Sequence, residues 1–414
     1  MLDQSIPARL PLLDAYVADY LPAGYRLGAD AAVLLQHQLG SIVPMTRTLL
    51  ELGLDPARVY WVDIPYTANA TVAWALQELG IPEANFARTG DYDLTMRYAP
   101  YQHRRVTQLV AELRETLADG ERLLVLDDGS YFAEAASCFA ALPFRVALVE
   151  QTRRGMIKLR HNGAAHAFAA GVPFVNVAES RAKLDVEPRF IGDSVVRGIR
   201  TALGGRDLSA RRALLLGYGA IGRPIGEVLV DEFGLAREDF HVGDIAAEPL
   251  ERAREHGFAT WDRSAPPPGG YDVVIGCSGT TSFGVGDRLH LADGAQLISA
   301  SSGAAELSRE EFIELADAHE HDDIRVLNPD LARENLHATI HLQFVDREVS
   351  FLNGGFPVNF DGQVNCVAAR DIQLTRALMV AAAVQALEAD GPGLHPFDEA
   401  VGDWLTQRFD EVRA

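Results

Sequence analysis

The stretch ALLLGYGAIGRPIGEVLVDEF (213–233) decides the fold. Ala213 to Leu216 read as a short buried strand. Gly217, Gly219 and Gly222, with Ala220 and Ile221 between the last two, form a G-x-G-x-x-G turn, and an apolar helix, IGEVLVDEF, follows. The glycine triplet alone is weak evidence; a strand before it and a helix after it give it weight. The first glycine allows a tight turn, the second lets backbone approach a pyrophosphate, and the third permits close helix–strand packing. Backbone N–H groups and the helix dipole then face the phosphates. The next strand, DFHVGD (239–244), ends at Asp244, about 20 residues past the motif. A carboxylate there accepts both ribose hydroxyls and repels a 2′-phosphate, so NAD is favoured over NADP. The bland alternative is a glycine-rich turn without a ligand.

Outward from this unit the alternation continues. GYDVVIGCSG (270–279) and AQLISASSG (295–303) read as further strands, and SAPPPGG (264–270) as a surface loop within the domain. A second alternation covers 31–187. AAVLLQHQLGSIVPMTRTLLELG (31–53) has helical spacing and stops at a glycine. RVYWVDIPY (58–66), RLLVLDDG (122–129), FRVALVEQT (144–152) and PFVNV (173–177) are strand-like, and 71–80 and 104–119 helical. After 303 the pattern gives a helix, a hairpin (TIHLQF, then EVSFL), a helix from about 367 to 388, and an amphipathic tail. Strands separated by helices predict an α/β protein with two doubly wound parallel-sheet domains.

At 414 residues the chain is too long for one core. Its net charge of −21 repels phosphate backbones, which argues against nucleic acid as a partner. No apolar run is long enough to span a bilayer, and MLDQSIPARL lacks the pattern of a signal peptide. Three scattered cysteines, Cys138, Cys277 and Cys366, suit a reducing cytosol and have no metal-ligand spacing. A cytoplasmic location is therefore expected. HEHDD (319–323) reads as an acidic turn rather than a metal site, so no metal is expected.

Five stretches, in order, carry a resemblance to the S-adenosylhomocysteine hydrolase (adenosylhomocysteinase) family: LDDG (126–129), VEQTRRGMIKL (149–159), VPFVNVAESRAKLD (172–185), DSVVRGI (193–199) running into LLLGYGAIGRPIG (214–226), and FLNGGFPVNF (351–360). The resemblance implies a substrate domain over 1–188, an inserted Rossmann NAD-binding domain over 189–352, and a return to the substrate domain with a helical C-terminus over 353–414. It implies a homo-oligomer with tightly held NAD that oxidises a ribose hydroxyl. The ketone acidifies the neighbouring C–H, homocysteine leaves, water adds, and the ketone is reduced again. Lys183, in AESRAK, stands at the family's active-site lysine, where a partly desolvated amine serves as base or assists the hydride step. Asp128 and His37 match other substrate-facing positions, and Glu187 stands, across a one-residue gap, for a family aspartate; all three are catalytic candidates. Thr152 and Asn359 match the nicotinamide-side contacts; Arg153, in the place of a family threonine, and Ser278 are further cofactor-side candidates. The bland alternatives are a solvated surface lysine for Lys183, a loop-capping aspartate for Asp128 and a helix-surface histidine for His37.

The departures cluster on the substrate side. The carboxylate that touches the ligand in the family is the amide Gln151, and two threonines are Arg153 and Arg154. Ser302 stands near the place of a lost histidine, and a second family histidine is absent from FDGQVNCVAARD (360–371). The family's C-terminal lysine–tyrosine arm has no counterpart in these residues. Arg153 and Arg154 suit an anionic substrate group, or simply balance an acidic surface. Gln151, Arg154 and Ser302 are thus candidate substrate contacts. The leading expectation is an NAD-dependent enzyme of this type acting on S-adenosylhomocysteine or on a related or altered substrate. A genuine S-adenosylhomocysteine hydrolase and a non-catalytic NAD-binding regulator are the alternatives.

Overall fold

The computed structural model describes residues 2–87, 92–304, 306–318, 325–326 and 335–413. The chain divides into two compact units. The first comprises Met1–Gly90, Pro100–Phe190 and Gly362–Ala414; the second comprises Asp91–Ala99 and Ile191–Asp361. Residues 353–361, which the sequence reading places in the returning segment, thus group with the second unit. The first boundary falls just beyond Pro188, inside the long helix Arg181–Leu203.

The first unit is built on seven strands: β1 (Ala31–Gln36), β2 (Val59–Asp63), β3 (Phe86–Ala87), β4 (Arg122–Asp127), β5 (Arg145–Glu150), β6 (Pro173–Asn176) and β15 (Gly393–Pro396). Their order is β15-β6-β5-β4-β1-β2-β3 and every pairing is parallel. The central strands are buried along almost their whole length, which is why they read as continuous apolar runs. The helix Ala369–Glu388 packs against β4, β5 and β6; its residues 372–384 are all buried, mostly apolar but including Gln373, Thr375 and Arg376.

One expectation fails here. The segment 31–53 is not one helix: Ala31–Gln36 is β1, and the helix spans only Ile42–Glu51. An apolar run without alternation fits a strand buried on both faces as well as a helix, and only its pairing to β2 and β4 decides.

The second unit has eight strands: β7 (Ala213–Leu216), β8 (Phe240–Gly243), β9 (Ala259–Thr260), β10 (Tyr271–Gly276), β11 (Leu291–Ser299), β12 (Arg325–Val326), β13 (Ile340–Gln343) and β14 (Glu348–Phe351). The order is β12-β13-β14-β11-β10-β7-β8-β9. Six of these strands, β9-β8-β7-β10-β11-β14, are parallel and reproduce the 3-2-1-4-5-6 winding of a Rossmann domain. β13 and β14 form the hairpin read from the sequence and, with β12, extend the sheet antiparallel. Gly198, in DSVVRGI, sits where a Cβ would lie 2.5 Å from the Val358 carbonyl oxygen, so the helix lies directly on the backbone of 358–359. Among the described residues no helix is long and apolar enough to cross a membrane.

Candidate functional site

Each sheet has a place where the winding reverses, β1/β4 in the first unit and β7/β10 in the second. Connections leave such a point in opposite directions and open a crevice beyond the carboxyl ends of the strands, where ligands of doubly wound sheets bind.

At the first crevice β1 runs into His37 and β4 into Asp128. Both are buried, with His37 Nε2 3.5 Å from Asp128 Oδ2. Gln151, which follows β5, donates its Nε2–H to the same Asp128 oxygen. The hydrogen bonds fix the imidazole tautomer. The Thr67 hydroxyl gives its only proton to the Ile64 carbonyl (3.1 Å), so it must accept from His37 Nδ1–H (3.0 Å). The Nε2 lone pair therefore faces Asp128. Burial, with the Arg376 charge, pushes the imidazole down to about 3, and burial raises the Asp128 carboxyl to about 6. A proton shared by this pair rests on Asp128, and the unprotonated pair accepts one near neutrality.

The helix Arg181–Leu203 brings Lys183 and Glu187 to the same place. They lie one turn apart and are ion-paired, Nζ to Oε2 at 2.5 Å. Glu187 Oε2 also accepts from the Thr375 hydroxyl (2.8 Å). In this arrangement Lys183 donates to Glu187. Both charges act on Asp128, so Lys183, Glu187, Asp128, His37 and Gln151 form one cluster.

Glu150, the last residue of β5, shapes this cluster without entering it. Its carboxylate accepts from the Gly129 and Ser130 amides (3.2 and 2.6 Å), the Ser130 hydroxyl (2.8 Å), and the amide and hydroxyl of Thr152 (2.7 and 2.6 Å). These bonds hold the loop that presents Asp128. Burial, reinforced by Asp128, keeps Glu150 above the usual carboxylate range. A Cβ on Gly155 would lie 2.3 Å from the Glu150 carboxyl carbon, so only glycine fits there. Glu150→Ala should cost about 3 kcal/mol, because the abandoned donors cannot all reach water. Chemical denaturation of the variant checks this, and a midpoint equal to wild type would refute it.

Thr152 spends its hydroxyl proton on Glu150, and its oxygen caps the helix Arg153–His161 at the Gly155 amide (2.9 Å). Arg153 is exposed at the start of that helix, and Arg154 is partly buried. The cation turned into the cluster is one the sequence reading missed. Arg376, on the helix Ala369–Glu388, is 5% exposed and is electrostatically coupled to Glu187 and Asp128. An arginine inside an otherwise apolar helix was the available signal.

The second crevice holds the glycine turn. Gly217 has φ +99°, and a Cβ there would lie 2.8 Å from the Cys277 carbonyl carbon; one on Gly222 would lie 2.1 Å from the Gly217 oxygen. Gly219 differs: a Cβ on it would meet nothing within 4 Å. Ala220 is exposed beside it and Ile221 half-buried. Asp244 accepts from the Tyr218 amide (2.9 Å) and the Ala246 amide (2.9 Å), one on each oxygen. Each oxygen keeps a lone pair for a ribose hydroxyl. Ile245 is fully exposed next to it, an apolar surface that a flat base would cover. The residues fit the adenosine diphosphate half of NAD.

The Ser278 hydroxyl, on the loop after β10, lies 2.9 Å from the Thr280 carbonyl oxygen and 3.0 Å from Glu306 Oε2, either of which can accept its proton. Glu306, which the sequence reading passed over, is buried; it also accepts from the Gly279 amide and the Ser282 hydroxyl (2.7 Å), so it clamps that loop. Asn359 is buried and its side chain makes no hydrogen bond among the described residues, while Ser302 is half-buried beyond β11. HEHDD lies outside the described residues. Among the described residues no group of three or more His, Cys, Asp or Glu could hold a metal ion.

No family model matches the chain. In sequence it is 30% identical over 412 residues to an uncharacterized protein of Mycobacterium tuberculosis, represented in two strains; the match covers 94% of this chain and 71% of the relative. Among solved structures, a dipicolinate synthase of Bacillus subtilis is 11% identical with a TM-score of 0.39, covering 88% of this chain and 97% of that one. The dipicolinate synthase of Bacillus halodurans gives 11% and 0.41, covering 86% and 99%. An L-alanine dehydrogenase gives 10% and 0.34, covering 92% and 100%. At these scores the likeness reaches neither site nor activity.

Proposed function

The chain belongs to the family of that uncharacterized Mycobacterium tuberculosis protein, and we propose that it is an NAD-dependent enzyme of the S-adenosylhomocysteine hydrolase type. It transiently oxidises a hydroxyl of S-adenosylhomocysteine, or of a substrate related to it, to drive elimination and addition. One observation carries the cofactor: in the 3-2-1-4-5-6 sheet, Gly217 and Gly222 admit no side chain, while Gly219 opens onto free space next to Asp244. Gly217, Gly219 and Gly222 would hold the pyrophosphate and Asp244 the ribose. Bound NAD supplies a reversible hydride acceptor, and a ketone formed at the oxidised carbon makes the adjacent C–H removable.

The first unit supplies the proton chemistry. The Asp128–His37 pair accepts a proton near neutrality, and Gln151 holds the Asp128 oxygen in place. Lys183, anchored by Glu187, would donate a hydrogen bond to an oxygen that gains negative charge. Three of the residues that the hydrolase family uses around its substrate are replaced here by Gln151, Arg153 and Arg154, which supports an altered substrate preference.

Denatured pure protein should release NAD, and S-adenosylhomocysteine should reduce the bound cofactor, seen as near-ultraviolet absorbance of the reduced nicotinamide. Lys183→Ala should slow that reduction by about 100-fold or more without changing the NAD content. Wild-type protein that neither carries nor takes up a dinucleotide would overturn the proposal.

A further inference from the structure

A second buried arginine shows what Arg376 lacks. Arg309, in the second unit, donates to the Gly354 carbonyl (2.8 Å), the Tyr92 hydroxyl (3.0 Å) and the Met96 carbonyl (3.2 Å), and it stacks on Phe356. Both Nη groups of that guanidinium are taken up by the fold, and only Nε is left unpaired among the described residues. Arg376 is nearly as deeply placed, 5% exposed, and has one hydrogen bond among the described residues, Nε–H to Ser41 Oγ at 3.0 Å. Neither Asp128 nor Glu187 lies within ion-pair distance, although both act on it electrostatically. The four Nη protons, on the flat fork of the guanidinium, are left without an acceptor among the described residues. A desolvated cation with an unused fork costs free energy unless something completes it.

We propose that Arg376 is the carboxylate-recognition residue of the first-unit crevice, so that the substrate carries a carboxylate held by the guanidinium fork, with the Ser41 hydroxyl as a further donor. This rests on the reading that the first unit holds the substrate. The fork geometry matches two oxygens of one planar anion. The Ser41 oxygen accepts from Nε, and its own proton remains free to be donated. Charge decides between oxyanions. Lys183 is ion-paired with Glu187, whereas Arg376 has no ion pair among the described residues. A monoanion completes Arg376; a phosphate dianion adds repulsion from Asp128 and Glu187. Arg153 and Arg154, which the sequence offered for this task, are thereby relieved of it.

The test uses the full chain and three probes at matched ionic strength: sodium acetate, inorganic phosphate and sodium chloride. Acetate at tens of millimolar should raise the unfolding midpoint by a few degrees over chloride, and phosphate should not. Arg376→Met should abolish the acetate shift. Arg376→Lys keeps the charge but not the fork and should lose most of it. Ser41→Ala should weaken it, and it serves as the readout if Arg376→Met does not fold. An arginine that only balances Asp128 and Glu187 would leave acetate and chloride indistinguishable in the wild type, which overturns the proposal. So would an equal response to phosphate, or an acetate shift that survives Arg376→Lys unchanged. NAD released from the same preparations is measured separately. Loss of the NAD reading with the acetate response intact would remove the enzyme assignment and keep this one; the reverse would do the opposite.

Discussion

Gly222→Ala should lose both the dinucleotide and much of the second unit's stability, whereas Gly219→Ala should lose the dinucleotide alone. A Cβ at 222 would lie 2.1 Å from the Gly217 oxygen and 3.1 Å from Cys277 Sγ. The oxygen cannot withdraw freely. It accepts from Cys277 Sγ (2.9 Å), and the Gly217 amide is tied to the Gly243 carbonyl (2.8 Å). Gly217 is itself hemmed in by the Cys277–Ser278 backbone. The helix Gly222–Asp231 must therefore shift off β7, which also parts Gly226 from the Phe240 ring it packs against. Overpacking of this kind costs about 3 kcal/mol.

At Gly219 the physics reverses. No atom lies within 4 Å of an added Cβ and the backbone is not left-handed, so the folded protein accepts alanine. A small gain from the stiffer unfolded chain is expected, below about 1 kcal/mol. The added methyl occupies the space through which the pyrophosphate would approach the backbone. A clash of about 3 kcal/mol there weakens NAD binding about 100-fold. Calorimetric titration with NAD, alongside thermal unfolding of nucleotide-free protein, separates the two effects. Undiminished NAD binding by Gly219→Ala would remove the glycine turn from the proposed cofactor site.

The same contrast explains what was readable in the sequence. The glycine turn was legible because its requirements are local: a left-handed φ at Gly217, no room at Gly222, and a carboxylate at the end of the next strand. β1 was not legible, since an apolar run carries no sign of which partners it will have, and its loss concealed that His37 ends a strand at a winding reversal. The clamps made by Glu150 and Glu306 reach across strands and loops distant in sequence, and neither lies in a pattern that spacing reveals. Arg376 could have been found: burying a charge in the helix 369–388 demands a reason. The adjacent pair Arg153–Arg154 drew attention instead, yet a helix start turns Arg153 to solvent.

Asp128→Asn should abolish the pH dependence of catalysis near pH 6 and lower the rate about 100- to 10,000-fold, the usual share of a general acid–base group. The amide keeps the shape and can still accept from Gln151, but it takes no proton. The NAD content should not change, because Asp128 belongs to the first unit and the cradle to the second. The same substitution has a sign on stability. Asp128 titrates at 3.8 when unfolded and at about 6 when folded, so between those values the native state holds more protons. Wild-type stability must then fall as pH rises through that window and level off above it. The fall is up to about 3 kcal/mol, from two pKa units at 1.4 kcal/mol each. Asparagine removes this contribution, so relative to pH 4 the variant should gain on wild type progressively until about pH 6 and hold that difference above it. Urea denaturation of both proteins at pH 4, 5, 6 and 7, about one unit apart to bracket the window, measures the difference. His37 sharpens the outcome. Its ring is already neutral throughout, held so by burial and by the Arg376 charge, so His37→Gln should leave the stability window in place while lowering the rate. Loss of the window in His37→Gln but not in Asp128→Asn would assign the proton to the imidazole and reverse the roles of the pair.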